Sequence, residues 1–141
     1  ETQIAYMPEL TTRGIDAVEN PEINLLLLED LDKAMESGEY ENAKTIFSSI
    51  EQKGSLTLEE QFFYAYSILK SENADYERCA QLLQQVISHE DKYYLESLWL
   101  QGLVYLQVQE RTKAIKTLTE LKNKSTYQLK NVNALLEKLQ E

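Results

Sequence analysis

At 141 residues, with 43% hydrophobic and 27% charged side chains, the chain has the length and apolar content for one domain with a real core; folding at this size buries roughly two-thirds of the unfolded surface. A formal net charge of −10 argues against nucleic-acid backbones and anionic membrane surfaces as partners, since both attract basic patches, and the acids are spread as on a solvated surface. One cysteine rules out an internal disulfide, no apolar run approaches the ~18 residues of a membrane span, and four Gly with two Pro suit long helices and short links rather than a turn-rich β fold.

Residues 1–19 carry no helical period. Ile4, Tyr6, Met7 and Leu10 are apolar there, Pro8 biases Met7 toward extended backbone and Gly14 interrupts the stretch. Two readings stand: a frayed lead-in, or an extended strap packed on a helical body. The first residue is Glu1 rather than Met, which carries the expectation that a leader, anchor or other preceding segment is removed.

A helical domain is expected over residues 20–141. Asn20-Pro21 is a helix start, Asn as cap and Pro in the first turn. The first helix runs to about Ser37 on Ile23, Leu27, Leu31 and Ala34, and Gly38 ends it. The second spans about Glu39 to Gln52, with Tyr40, Ala43, Phe47 and Ile50 on one face and Gly54 as its stop. Thr57 with Glu60 is a capping-box signature for a third, about Leu58 to Ser71, which buries Phe63, Ala65 and Ile68. The fourth covers about Asp75 to Ser88 on Tyr76, Cys79, Leu83 and Val86. Helices five and six cover about Lys92 to Val108 and Glu110 to Asn123, and Ser125 with Gln128 reads as a second capping box opening a seventh helix to about Leu139. Seven helices with short links predict an all-α fold.

The stretch Tyr93 to Leu121 shows the unit from which the chain is built: two amphipathic helices with small residues, Gly102 and Ala114, where they face each other. The second helices of the three pairs superpose as Tyr40, Tyr76 and Arg111; as Ala43, Cys79 and Ala114; as Phe47, Leu83 and Leu118; and as Ile50, Val86 and Leu121, every set spaced 36 and then 35. The first helices superpose at Leu31, Ala65 and Gly102, spaced 34 and 37, which puts about two extra residues in the turn around Ser71 to Ala74. The pattern resembles the tetratricopeptide repeat, a helix–turn–helix unit of about 34 residues. Gly102, Tyr105, Ala114 and Leu118 fall on its small, aromatic, small and bulky positions, and Gly38 to Ala43 (GEYENA) and Ala74 to Cys79 (ADYERC) resemble its turn. The signature proline is absent, Leu31 is large where Gly or Ala is usual, and Arg111 replaces the turn tyrosine. The resemblance covers residues 24–122 and implies a right-handed α-solenoid of three hairpins with the seventh helix as a cap. Tyr94 to Leu106, with a Tyr- and Pro-containing lead-in, further resembles extracytoplasmic tetratricopeptide domains of Gram-negative bacteria, which implies a periplasmic domain tethered through a segment outside this chain.

Catalytic chemistry finds little support. His89, the one histidine, sits at a helix end, where an imidazolium complements the dipole; no second histidine follows at zincin spacing. One His and one Cys cannot make a zinc site of nitrogen and sulfur ligands. Glu59-Glu60 and Glu90-Asp91 lie at helix starts, which favour acids. Asn123-Lys124-Ser125 matches a glycosylation triplet that is common by chance. Cys79 is expected as a buried small residue, and no phosphate loop, cofactor motif or metal cluster is read.

In the resembled family the first helix of each pair lines a concave groove. Carried over residue by residue, the groove positions are Leu28, Asp32 and Met35, then Phe62, Tyr66 and Leu69, then Trp99, Leu103 and Leu106. Lys, Arg and Asn are missing there, which argues against a carboxylate clamp. The stripe is mostly apolar, so the leading expectation is a non-enzymatic module that binds a protein or peptide segment on Phe62, Tyr66 and Trp99. The alternative is a structural oligomerisation or spacer domain, its groove covered by its own N-terminal segment or by a second copy in a homodimer.

Overall fold

The computed structural model describes residues 21–140, with side chains from Glu29 onward. The expected lead-in over 1–19, the Asn20 cap and the side chains of Ile23, Leu27 and Leu28 lie outside the described residues. Seven helices follow in order: α1 Pro21–Ser37, α2 Tyr40–Lys53, α3 Leu58–Lys70, α4 Tyr76–His89, α5 Tyr94–Gln107, α6 Arg111–Lys124 and α7 Leu129–Leu139. The described residues contain no strand, and the chain is all-α.

The turns repeat as the sequence does. Gly38 (φ 72°), Asn73 (φ 52°) and Gln109 (φ 61°) are left-handed, one inside each hairpin. At the first and third turns the next amide reaches back five residues, Glu39 N to Ala34 O and Glu110 N to Tyr105 O, both at 2.8 Å. This geometry satisfies carbonyls that a helix end leaves open. An acid stands at the N-cap position of each outgoing helix, Glu39, Asp75 and Glu110, and of these only Asp75 caps through its side chain, Oδ1 accepting from Arg78 N at 3.1 Å.

Helix starts and stops follow the sequence except in three places. The Thr57–Glu60 capping box forms, Thr57 N donating to Glu60 Oε1 at 2.7 Å and Glu60 N to Thr57 Oγ1 at 3.1 Å. Ser125 and Gln128 form no such box. Gln128 adopts a left-handed φ of 56°, Ser125 Oγ accepts from Tyr127 N at 3.0 Å instead, and α7 starts only at Leu129. Lys92 and Tyr93 sit in a turn closed by Tyr94 N to Asp91 O at 2.9 Å, so α5 begins two residues late. Gly54 has φ 172°, extended backbone, so α2 ends without the left-handed cap.

Each helix packs chiefly on its sequence neighbours, with one smaller contact between α3 and α5. Most of the superposed positions are dry: Ala43, Phe47, Ala65, Cys79, Leu83, Ala114, Leu118 and Leu121 are fully buried, whereas Tyr40, Tyr76 and Ile50 are half-buried and Arg111 is exposed. Small residues on both helices of a pair let the backbones approach. Cys79 Sγ reaches Ala65 O at 3.3 Å between α4 and α3. A Cβ on Gly102 would lie 2.5 Å from Leu118 Cδ2 and 2.9 Å from Leu118 Cγ, so Leu118 of α6 occupies the space that a side chain on α5 would need.

Gly102→Ala therefore gains about 1 kcal/mol of helix propensity but meets overpacking of about 1–3 kcal/mol. Urea melts should show a net loss of about 1 kcal/mol. Leu118→Ala should cost less in the Gly102→Ala background than alone, because the added methyl fills part of the vacated space.

Candidate functional site

On α3, Phe62, Tyr66 and Leu69 recur at i, i+4 and i+7; on α5, Trp99, Leu103 and Leu106 do the same. That spacing sets each trio on one helix face, and α3 and α5 touch in one smaller contact. All six join one hydrophobic cluster, against which Met35 of α1 also packs. The face is not the open stripe expected from sequence. Phe62 and Trp99 are 1% exposed, Leu103 3% and Tyr66 6%. Asp32, Met35, Leu69 and Leu106 are half-buried, and Leu28 lies outside the described side chains. Helix periodicity marks which side of a helix is apolar; it does not tell an exposed apolar side from a covered one.

Tyr93, which sequence reasoning did not place here, is part of the aromatic floor. Its ring stacks on Phe62 at 4.7 Å, meets Phe63 edge-on at 5.4 Å, and its hydroxyl donates to Glu59 Oε2 at 2.9 Å. The doubled Tyr93-Tyr94 was the signal available. Tyr94 turns the other way: its hydroxyl donates to Glu120 Oε2 at 2.5 Å and accepts from Lys124 Nζ at 2.7 Å, tying α5 to α6. Tyr40 of α2 packs edge-on to Tyr66 at 5.7 Å. Burial, then the neighbouring Tyr40, pushes the Tyr66 phenol up, so it stays neutral.

Polar atoms accompany this apolar floor. Ser67 Oγ donates to Phe63 O at 2.9 Å and lies 3.5 Å from Met35 Sδ, which fastens α3 to α1. Gln101 Nε2 donates to Ala80 O at 3.1 Å, joining α5 to α4. Trp99 Nε1 is buried with no acceptor, and an unmet buried donor is costly. At the rim, burial raises the carboxyls of Asp32 and Glu96; Glu36 adds to the shift at Asp32, and Lys92 opposes it at Glu96.

The remaining candidates stand apart from this face. His89 is exposed at the end of α4, and its Nδ1 sits 2.8 Å from Gln85 O of its own helix, the position of a dipole-complementing imidazole. Two surface clefts, about 390 Å3 beside Asp30, Glu39 and Asn42 and about 510 Å3 beside Glu51, Gln61, Arg78 and Gln85, contain no groove residue. Arg78 pairs there with Glu51. Among the described residues no group of three or more His, Cys, Asp or Glu is gathered as metal ligands would be, and no helix is long and apolar enough to cross a membrane. A scan against protein-family models and searches of curated proteins and of solved structures found no significant match to the chain.

Cys79 is fully buried, and burial, with Asp75 adding, pushes its thiol up to about 12. The thiolate is the reactive form, so at pH 8 the folded chain should resist a thiol reagent that labels it fully in denaturant. Rapid labelling of the native chain would show that α3 and α4 separate at this point.

Proposed function

We propose that the chain is a non-enzymatic protein-interaction module, built as a right-handed α-solenoid of three tetratricopeptide-like hairpins with α7 as its cap. The observation that carries the reading is the contact of α3 with α5, the first helices of successive hairpins. Phe62 and Tyr66 of α3 and Trp99 and Leu103 of α5 belong to one hydrophobic cluster, which supports reading them as one apolar and aromatic face. Aromatic side chains supply large contact area at small entropic cost and dominate the energetics of protein interfaces. The half-buried Met35, Leu69 and Leu106 are the edge from which a partner segment would be engaged. In this reading the module is extracytoplasmic and works beside a membrane, as the resemblance of Tyr94 to Leu106 implies.

The test is site-specific photo-crosslinking in cells. Probes replacing Leu69 or Leu106 should give one discrete adduct with another protein, and a probe at the exposed Gln84 of α4 should not. Leu106→Asp should abolish the adduct formed at position 69. Equal labelling at all three positions would contradict the proposal, and a self-adduct at dimer mass would favour an oligomerisation domain.

A further inference from the structure

α6 differs from the two helices on which it superposes. α2 has two cations and two carboxylates, and α4 has Arg78 and Glu77; Lys44 pairs with Glu41 at 2.9 Å and Arg78 with Glu51. α6 carries five cations, Arg111, Lys113, Lys116, Lys122 and Lys124, against the single carboxylate Glu120, in a chain of net charge −10. Lys113 pairs with Glu110 at 2.9 Å, and Lys124 reaches Glu90 at 3.5 Å and Glu120 at 3.8 Å. Arg111, Lys116 and Lys122 are exposed and enter no ion pair with the described residues. The fold does not need them, since the buried residues of α6 are Ala114, Leu118 and Leu121. The opposite imbalance lies on α1. Glu29, Asp30 and Glu36 are exposed there and Asp32 is half-buried, with Lys33 the one cation among them. None of these five side chains enters an ion pair with the described residues either. Burial, then the neighbouring Glu36, raises the Asp32 carboxyl, as expected where carboxylates crowd without a paired cation.

We propose that α6 docks a second copy of this chain, its free cations Arg111, Lys116 and Lys122 set against Glu29, Asp30 and Glu36 on α1 of that copy. Within one chain the two sets do not neutralise each other, because α1 makes its main contact with α2, and α6 makes its own with α5 and α7. Between copies they can. Arg111 to Lys122 spans about 17 Å of helix and Glu29 to Glu36 about 11 Å, so one row can lie along the other. A nucleic-acid backbone or an anionic lipid surface is negative over its whole extent; it would be drawn to α6 and repelled by the acidic remainder of the chain. A second copy offers its free carboxylates on one short helical stretch. At physiological ionic strength the screening length is about 8 Å, so charges in contact attract while the net charges of the two copies are damped. Exposed ion pairs are individually weak, and the association is accordingly weak and reversible. The inference goes beyond the interaction-module reading and does not rest on the aromatic face, so its failure leaves that reading standing.

Analytical ultracentrifugation of the full chain at about 0.15 M salt should show an average mass that rises as the concentration approaches about 1 mM, the weak end of specific association. The mass should return to the monomer value at about 1 M salt, where the screening length is about 3 Å. Asp30→Lys with Glu36→Lys should hold the chain monomeric even though it brings the net charge nearer zero, a change that by itself promotes association. Lys116→Glu with Lys122→Glu should also give a monomer. Mixing the two variants in equal amounts should restore the rise in mass, because each supplies the complement of the other's altered helix. A wild-type chain that is monomeric throughout, or association that survives either exchange, would overturn the proposal. So would a mixture that stays monomeric although both variants keep wild-type helix content. A second arm needs no substitution. In a sample mixed from two isotope labels, a zero-length carbodiimide crosslink should join Lys116 or Lys122 of one copy to the α1 carboxylates of the other; crosslinks between copies confined to other helices would contradict the docking.

Discussion

The close approach of α5 and α6 at Gly102 is the constraint on which the rest depends. Leu118 takes the place of a side chain at position 102, which sets the spacing of the two helices and so the angle at which the hairpin closes. The second hairpin meets the same constraint with Ala65 and Cys79, near enough for the thiol to reach the facing carbonyl. In the first, Leu31 and Ala43 hold the corresponding positions and both are buried, so only the second helix contributes a small residue there. Left-handed residues at Gly38, Asn73 and Gln109 reverse the chain after each first helix. Packing distance and turn geometry thus repeat together, and each hairpin is placed by its neighbours.

Among the described helices, α3 and α5 carry the longest buried runs. Their composition differs from that of α2, α4 and α6: α3 carries Phe62, Phe63, Tyr64, Ala65, Tyr66, Ser67 and Ile68 in one buried run, and a helix that is apolar all round is one covered all round. Polar groups inside these runs mostly serve as fasteners. Ser67 ties α3 to α1 and Gln101 ties α5 to α4, while Tyr93 and Tyr94 carry their hydroxyls outward to Glu59 and Glu120. The indole N–H of Trp99 and the hydroxyl of Ser97 are exceptions, buried with no partner.

Most of the fold could be read from local chemistry. Thr57 and Glu60 close a capping box because their spacing allows nothing better, and the three sets of small and bulky residues superpose because each hairpin meets the same steric problem. Ser125 and Gln128 show the limit. The same spacing fails there because Gln128 takes a left-handed turn and Tyr127 N claims the serine oxygen, a competition decided by the path between α6 and α7. The expected groove residues were legible as apolar helix positions but not as a surface. Phe62, Tyr66, Trp99 and Leu103 do cluster, yet periodicity carries no information on what lies over a helix face. Tyr93 was expected inside helix five, but it lies in the turn before α5, so its contacts with Phe62 and Phe63 do not follow the helix period.

The close approach at Gly102 can be measured directly in solution. In a methyl-labelled sample, a strong nuclear Overhauser effect should connect the Leu118 methyl groups to the Gly102 Hα protons, since Leu118 Cδ2 lies 2.5 Å from where a Cβ on residue 102 would sit. Assigned resonances with no such cross-peak would contradict the account, because α5 and α6 would then lie too far apart for the hairpin that the repeat requires.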